Sequence, residues 1–284
     1  MRFPQTRSRL AAAGASPHDH ISVPDATLVS WNVAGRIRRQ ATQAERIAAL
    51  SPDIVCLQEV TTRSAPAWTE ALRAAGLAHV SVAAPPVTGT PRPRPLSALL
   101  ASRWEQDAVA VEAVPWPERV LAARVAGLEV VNVHSPISPS PGLAKVLTHE
   151  AVHAHAVRGD GPRVVCGDLN TPRREHPDGR VWTFARDRSG RLREDRGERW
   201  DAAELALIKG LEEHGFRDGF RSLHGLESRE PSWVWQRSGG GYRLDHLIAS
   251  GEVEVLVCGY LHEWRDEGLS DHSPLVAHLR WPDS

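Results

Sequence analysis

The order of apolar runs along the chain restricts its fold more than any other feature of the sequence. After residue 25, strand-like runs such as ATLVSWNV and DIVCLQEV alternate with helical runs such as RRQATQAERIAAL and APAWTEALRAAG. Strand-like runs continue to the C-terminus, with helical patterns over about 142–158 and about 201–214. The alternation predicts an α/β domain in which polar residues at strand ends can meet.

Irregular segments delimit this domain. Residues 1–25 lack periodicity, so we expect a loose N-terminal arm before a single domain over residues 26–284. The stretch 85–95 contains five prolines in eleven residues and predicts an exposed loop. The polar stretch 171–199 predicts a longer loop, and long loops in compact domains are often functional. A short connection at Gly127 predicts a hairpin.

The charge balance limits the kinds of partner. The chain has 34 Lys plus Arg against 35 Asp plus Glu, a formal net charge of −1. This balance argues against a protein that coats nucleic acid through bulk charge. All basic residues except Lys145 and Lys209 are arginines, whose planar fork suits phosphate. A local basic surface is therefore compatible with the sequence.

Neither export nor membrane insertion is expected. The sequence has no apolar run long enough to span a bilayer, and its first twenty residues lack the apolar centre of a signal peptide. Cys56, Cys166 and Cys258 each lie within an apolar run, which predicts buried thiols in a reducing compartment. We expect a cytoplasmic protein.

Polar residues recur at the ends of the apolar strands or next to these strands in the sequence. They are Asn32, Glu59, His134, Asp168 with Asn170, Asp245, and Asp271 with His272. A single one of these residues could be a cap or a turn former, whereas the set indicates one site at the rim of a sheet. Most are hard oxygen donors and no cysteine lies beside the histidines, so the set suits Mg²⁺ or Mn²⁺ better than structural zinc.

The motifs that carry these residues resemble those of a known family. In order, SWNVAGR, DIVCLQEV, NVHSP, GDLN, RLDHLIAS and SDHSPLV resemble the endonuclease/exonuclease/phosphatase superfamily, which includes DNase I-like nucleases and exonuclease III-like abasic endonucleases. GDLN or SDH alone would be a weak signal, but the ordered set is specific. The resemblance implies a four-layer α/β sandwich of two packed, mostly antiparallel sheets flanked by helices.

The resemblance also implies a cation site and a substrate surface. Glu59 would hold Mg²⁺ or Mn²⁺ near Asn32 and Asp271, and the cation would polarise a non-bridging phosphate oxygen. Arg36 of the first motif is expected to contact the substrate. So is the Trp pair of EPSWVWQ, Trp233 and Trp235, by stacking on a base or sugar. For that pair the alternative stays open that one ring lies in the core and the other outside.

The remaining site residues would move or hold protons. Asp168, oriented by Asn170, would align or deprotonate the attacking water. His272, held in its tautomer by Asp245, would contact the phosphate and stabilise charge in the transition state. His134 would assist the leaving oxygen, either as an acid or through a hydrogen bond.

These roles predict a divalent-metal-dependent phosphodiester hydrolase, a nuclease that cleaves DNA, with no obligate protein partner. After GDLN the chain continues TPRREHPDGRVWTF, unlike exonuclease III-like enzymes, whereas GFRDGFRSLHG and the Trp pair resemble them. The alternative is a phosphoesterase that acts on a phospholipid, inositol phosphate or nucleotide with the same site, since one fold supports many substrates. A binding module without catalytic activity would have lost at least one residue that binds the metal or positions the water, and none of these residues is lost.

A rival motif lies on the helix predicted over 142–158. Residues 149–153 read HEAVH, which matches the zinc-protease signature H-E-x-x-H and would place His149 and His153 on one face. The extended motif fails because Ala156 and Gly159 occupy its next positions. We therefore expect a helix face that is solvated or at most scavenges metal ions. A zinc protease would lose activity in His149→Ala and keep it in Asp168→Ala, and a phosphodiesterase would do the reverse.

Overall fold

The predicted alternation of strands and helices is present in the part of the chain that the structure, a computed structural model, describes: residues 24–84, 96–235 and 240–282. The Pro-rich stretch 85–95, and the predicted arm except for its last two residues, lie outside the described residues. The strands are β1 Asp25–Asn32, β2 Ile54–Thr61, β3 His79–Val82, β4 Leu96–Ser102, β5 Gln106–Val109, β6 Val120–Val125, β7 Leu128–His134, β8 Arg163–Asp168, β9 Arg174–Glu175, β10 Val181–Trp182, β11 Arg217–Asp218, β12 Trp233–Val234, β13 Gly241–Tyr242, β14 Asp245–Ala249, β15 Glu254–Tyr260 and β16 Leu275–Arg280. The α-helices are α1 Gln40–Ala49, α2 Ala65–Ala74, α3 Ala144–Arg158, α4 Glu198–Ile208, α5 Gly219–His224 and α6 His262–Asp266.

The longer strands form two six-stranded sheets. The first has the order β15-β16-β1-β2-β4-β3 and the second the order β11-β14-β8-β7-β6-β5. One pair in each sheet is parallel, β1 with β2 and β7 with β8. Helices α1 and α3 lie in the crossovers that join these parallel strands. All other pairs in the two sheets are antiparallel, which confirms the mostly antiparallel arrangement.

Alternating side chains along the central strands produce four layers. Leu28 of β1 lies between the two sheets, whereas Val29 packs on the outer face with side chains of α1 and α2. In the second sheet Val130 of β7 lies between the sheets, whereas Val131 packs with side chains of α3 and α4. The result is the helix, sheet, sheet, helix sandwich that the resemblance implied. The three cysteines are free and buried in the core between the sheets, as predicted.

A buried amide links the two sheets. Asn132 of β7 donates from Nδ2 to the carbonyls of Leu57 and Leu99 in the first sheet, at 3.0 and 2.8 Å. Its Oδ1 accepts from Gln58 Nε2 at 2.8 Å. Because a buried polar network is stable only when its partners are in place, these bonds fix how the sheets face each other.

The predicted elements differ from the structure mainly in the second half of the chain. The hairpin at Gly127 is present, with Ala126 and Gly127 both at positive φ, as a tight two-residue turn requires. The segment predicted as one loop over 171–199 contains the β9–β10 ribbon. The helix predicted over about 201–214 is α4 followed by a 3₁₀ turn over Gly210–His214. The short helices α5 and α6 were not predicted. No helix among the described residues is long and apolar enough to span a membrane.

Candidate active site

Polar residues of three adjacent strands lie in one row across the second sheet. Asp245 of β14 is paired with Asp168 of β8, and Asp168 is paired with His134 of β7. The first sheet brings Asn32 and Glu59 to the same place: Asn32 Nδ2 donates to Asp168 Oδ2 at 3.0 Å and lies 3.4 Å from Glu59 Oε1. Residues from both sheets therefore meet at one end of the sandwich.

Two residues of this site have a left-handed backbone conformation. Glu59 has φ 60° at a register shift in β2, between Leu57 and Val60, and its side chain is about a quarter exposed. Asn170 has φ 51°; its backbone N–H donates to Asp168 Oδ1 at 2.9 Å and its Nδ2 to the carbonyl of Ser135 at 2.7 Å. Such conformations are costly for residues other than glycine and persist where the surroundings hold them, often at functional sites.

Asp168 is the buried carboxylate at the centre of the site. It accepts hydrogen bonds from Asn32 and Asn170, and its Oδ2 lies 3.8 Å from His272 Nε2. Burial, with the nearby Asp245 carboxylate, raises the pKa of Asp168 to about 7, although His272 and the hydrogen bonds oppose the shift. The carboxyl group therefore changes protonation near neutral pH.

His272 and Asp245 form a hydrogen-bonded pair. Nδ1 of His272 lies 2.8 Å from Oδ2 of Asp245. Burial disfavours protonation of the imidazole, but the carboxylates of Asp245 and Asp168 outweigh it and raise the pKa of His272 to about 10. His272 is thus cationic at neutral pH. The indole of Trp31 donates to the carbonyl of His272 at 2.9 Å and fixes the loop that carries it.

His134 has the opposite protonation state. Burial, then the positive charges of Arg119 and His272, hold the pKa of His134 well below its usual value, so the imidazole is neutral. Its Nε2 lies 3.6 Å from Glu59 Oε1, 4.0 Å from Asp168 Oδ2 and 3.4 Å from the Arg119 guanidinium. Two histidines that face the same carboxylate therefore differ in charge.

A cleft of about 410 Å³ opens onto these groups. Its lining includes Glu59, Asp168, Asn170, His134, Asp271 and His272, with a wall formed by Phe184, Trp233, Tyr242 and Leu244. Trp233 donates from Nε1 to Asp271 Oδ2 at 3.2 Å, and its ring is parallel to that of Tyr242. A larger groove of about 740 Å³, between the 180–190 segment and α4, contains none of the predicted site residues.

Two predicted substrate residues lie outside the cleft lining. Trp235 is 40% exposed and touches Trp233 edge-on, and Trp233 is itself only half-buried, so neither ring of the pair is in the main core. Arg36 donates from its guanidinium to the carbonyl of Gly268 at 3.1 Å. Only Trp233 of the three predicted substrate residues therefore lines the cleft.

Two groups of side chains at the site contain ligand atoms that a metal ion can use. Asp168, Asp245 and His272 have ligand atoms within 4.8 Å of one another, but His272 is protonated and already bound to Asp245, so this set is better described as a hydrogen-bonded triad. The carboxylates of Glu59 and Asp271 line the cleft, and neither forms an ion pair with a described Lys or Arg. Available hard oxygens of this kind fit Mg²⁺ or Mn²⁺. Asn32 uses Nδ2 to orient Glu59 and Asp168, and its Oδ1 accepts from the backbone of Ala34.

The HEAVH helix face is not solvated as expected. His149 is fully buried, with Nε2 2.8 Å from Ser135 Oγ and 3.1 Å from the carbonyl of Leu169. Burial and then the charge of Lys145 lower the pKa of His149 to about 4. The expectation was wrong because α3 packs this face against the turn that follows β8. His153 instead lies beside the ring of His214, so the motif brings together no ligand set among the described residues.

Sequence analysis missed Lys145. Its Nζ donates to the carbonyl of Asn170 at 2.7 Å and forms a buried ion pair with Glu204 at 2.8 Å. Lys145 and His149 lie one turn apart on α3, and they contact the consecutive carbonyls of Asn170 and Leu169, respectively. The only signal in the sequence was that Lys145 is one of two lysines in an arginine-rich chain.

Comparison with known proteins shows the family of the chain and proteins that share its fold. The model of the Endonuclease/Exonuclease/phosphatase family matches residues 29–272. The chain is similar to an AP endonuclease from Archaeoglobus fulgidus, with TM-score 0.67 and 23% identity over 88% of this chain and 98% of that one. It is also similar to the 3′-5′ exonuclease NExo from Neisseria meningitidis, with TM-score 0.64 and 23% identity over 90% and 100% of the two chains. A third similar structure, the 3′ phosphatase NExo from Neisseria bound to a product DNA hairpin, has TM-score 0.61 and 22% identity over 89% and 98%. No curated protein matches the chain. At these identities the solved structures establish a shared fold.

Proposed function

The chain belongs to the endonuclease/exonuclease/phosphatase family, and on that basis we propose that it is a divalent-metal-dependent phosphodiester hydrolase that cleaves DNA. One observation carries the proposal: the Asp168 carboxylate and the cationic His272 imidazole lie 3.8 Å apart in a cleft that also contains the carboxylates of Glu59 and Asp271. One pocket thus contains a base for the attacking water, a positively charged side chain for the phosphate and oxygen ligands for a metal ion, which together can hydrolyse a phosphodiester.

Asp168 is assigned to the attacking water. A general base works best when its pKa is near the working pH, and burial raises the pKa of Asp168 to about 7. Hydrogen bonds from Asn32 and Asn170 hold the carboxylate in one orientation. Asp168 would align the water and accept its proton.

His272 is assigned to the phosphate. Asp245 engages Nδ1, which leaves Nε2–H as the donor for a non-bridging phosphate oxygen. Because the imidazole is cationic, this hydrogen bond strengthens as negative charge develops in the transition state.

His134 is assigned to the leaving oxygen through a hydrogen bond. Of the two roles expected from the sequence, an acid role requires a protonated imidazole, and the lowered pKa of His134 keeps the ring neutral. A neutral ring can still donate one N–H to the oxygen that departs.

Glu59 and Asp271 are assigned to Mg²⁺ or Mn²⁺, with Asn32 orienting Glu59. When bound, the cation would supply Lewis-acid polarisation of a phosphate oxygen. Trp233 holds Asp271 through a hydrogen bond, so it would act on the cation site as well as on the substrate.

Three further observations support the proposal, two of them for DNA as the substrate and one for a cytoplasmic location. Trp233 and Tyr242 present aromatic faces along the cleft wall, on which a base or sugar can stack. One similar structure, the 3′ phosphatase NExo from Neisseria, is bound to a product DNA hairpin. The three buried free thiols suit a reducing compartment. We take residues 26–284 as a single catalytic domain.

The test is hydrolysis of a substrate panel in Mg²⁺, Mn²⁺ or EDTA. The panel contains plasmid DNA, single-stranded DNA, an abasic duplex, RNA, a phospholipid, a nucleotide and bis-p-nitrophenyl phosphate. We expect cleavage of at least one DNA substrate that EDTA abolishes. Cleavage of only the phospholipid, the nucleotide or the small diester would favour the phosphoesterase alternative, and no cleavage with any metal would contradict the proposal.

A further inference from the structure

A second groove, of about 350 Å³, opens beside the active-site cleft. Tyr242 lines both the groove and the cleft, so the two are continuous along the surface. The walls of the groove come from three separate parts of the chain, residues 172–175, 221–231 and 241–243. We call it the arginine groove, after the five arginines in its lining: Arg173, Arg174, Arg221, Arg229 and Arg243.

The acidic residues of the arginine groove are already paired. Glu175 lies 2.7 Å from both Arg221 and Arg243. Glu230, the other carboxylate of the lining, is bound to His262. Within the described residues, Arg173, Arg174 and Arg229 form no ion pair with a carboxylate. Three guanidinium charges therefore remain for an external anion.

Two of these arginines are held in place. The guanidinium of Arg174 lies 5.5 Å from the centre of the Trp182 ring, and Arg173 donates to the carbonyl of Arg186 at 3.0 Å. Arg174 and Arg229 are both exposed. Burial and then the charges of Arg174 and Arg180 lower the pKa of nearby His176; Asp178 opposes this shift and Arg229 adds to it, so Arg174 and Arg229 lie near the same imidazole. Concentrated cations that already have fixed positions bind an anion at a small entropic cost.

We propose that the arginine groove binds the phosphate backbone of the DNA strand that leaves the active-site cleft. This inference rests on the proposed function, because it is the strand in the cleft that continues past Tyr242. DNA presents a regular row of negative charges, and guanidinium groups contact phosphate oxygens through a planar fork. The local positive charge also explains how a chain with a net charge of −1 can hold a polyanion.

The experiment measures binding separately from hydrolysis. Binding of a labelled DNA duplex in EDTA is followed by fluorescence anisotropy over a series of salt concentrations. For Arg174→Ala/Arg229→Ala we expect Kd at low salt to rise by about tenfold, and the slope of log Kd against log salt to fall by about 1 for each arginine removed. Arg174→Lys/Arg229→Lys keeps the charges and should keep most of the slope.

Arg217→Ala is the matched control. Arg217 is exposed and forms no ion pair in the described residues, and it pairs with Ala249, at the end of β14 away from Asp245. It should leave Kd unchanged. Bis-p-nitrophenyl phosphate is too small to reach the arginine groove, so its hydrolysis should be the same in the Arg174→Ala/Arg229→Ala variant as in the unsubstituted protein.

The outcomes separate this proposal from the proposed function. An unchanged Kd and salt slope in the double variant, or an equal effect in Arg217→Ala, would overturn the role of the arginine groove even if DNA is cleaved. Equal, arginine-dependent binding of poly-glutamate would assign the groove to acidic peptides instead. Failure of the unsubstituted protein to cleave DNA or the small diester would contradict the proposed function and leave the binding result to be judged by itself.

Discussion

Two buried ion pairs lie near Asn170, and they have the same length but different surroundings. Lys145 with Glu204 and His272 with Asp245 each have an N–O distance of 2.8 Å. In the first pair both side chains are fully buried from solvent, and Lys145 donates a second hydrogen bond to the carbonyl of Asn170. The second pair lines the active-site cleft through His272.

The two carboxylates differ in how completely they are bonded. Glu204 also accepts hydrogen bonds from Thr171 Oγ1, Trp200 Nε1 and the backbone of Phe184. Oδ1 of Asp245 has no hydrogen-bond partner within the part of the chain that the structure describes. A buried network whose hydrogen bonds are all made is rigid, whereas a catalytic role is one reason for a buried polar atom to lack a partner. We infer that the first pair positions the turn after β8 and that the second takes part in the chemistry.

The largest effect on activity is expected from replacing Asp168, the proposed base beside the pair formed by His272 and Asp245. Asp168→Asn keeps the shape of the side chain and should lower kcat by roughly 10³-fold or more, because the amide cannot accept the proton from water. Stability should not fall, since burial raises the pKa of Asp168 and its charge is therefore costly in the fold. Rates on bis-p-nitrophenyl phosphate, with thermal unfolding of the same sample, check both points. A loss of less than tenfold would contradict the assignment.

Breaking the ion pair between Lys145 and Glu204 should instead lower the stability of the fold. Lys145→Met leaves the Glu204 charge buried without its partner, and we expect the free energy of unfolding to fall by about 3–5 kcal/mol. The chain offers a matched control in its other lysine, because Lys209 pairs with Glu212 at the surface. Lys209→Met should change stability by less than about 1 kcal/mol. Urea unfolding of both variants makes the comparison, and equal losses would contradict it.

Acid should distinguish the buried histidines. The pKa of His149 is lowered from 6.5 to about 4, so the unfolded chain takes up its proton first. The contribution of His149 to stability is therefore present above pH 6.5 and lost as the pH falls towards 4, a loss of roughly 3 kcal/mol. His149→Gln should make unfolding free energy less dependent on pH in this window.

His272 should behave in the opposite direction. Its pKa is raised from 6.5 to about 10, so its contribution is full below pH 6.5 and is lost as the pH rises towards 10. His272→Gln should therefore flatten the alkaline side of the stability profile. Identical profiles for the two variants would show that the two histidines do not differ as described.

The smallest effect is expected from weakening the interaction between His272 and Asp245 without removing either side chain's shape. Asp245→Asn should lower kcat by about 100-fold, or ~2.7 kcal/mol, because His272 keeps a neighbour of the same shape but loses the charge that favours its protonation. The alkaline limb of the pH–rate profile should move to lower pH. NMR titration of the His272 ring gives the shift directly, and a pKa that stays near 10 would contradict the role of Asp245.

The sequence was sufficient for residues whose position follows from strand register. Asp168, Asp245 and His134 meet because adjacent strands place them in one row. The GDLN motif also needs its glycine: Gly167 has φ 126°, and a Cβ there would lie 2.0 Å from the carbonyl oxygen of Val133. These positions depend on local backbone conformation or on the pairing of adjacent strands, so sequence motifs can predict them.

The sequence could not show which residues of α3 face the site. This helix packs against both the sheet and α4, so its polar residues are not confined to an exposed face, and His149 and Lys145 are buried at successive turns. The arginine groove was equally hidden, because its walls come from segments far apart in the chain. Only tertiary packing decides such positions.

The most direct test compares DNA cleavage by Asp168→Asn and His149→Gln in Mg²⁺ and in EDTA. Both residues are buried beside the same turn, and both variants keep a side chain that can form hydrogen bonds. We predict metal-dependent cleavage that is lost in Asp168→Asn and falls by less than about tenfold in His149→Gln, in which the amide can still donate to the carbonyl of Leu169. Full activity in Asp168→Asn, or loss of activity in a folded His149→Gln variant that zinc restores, would contradict the account.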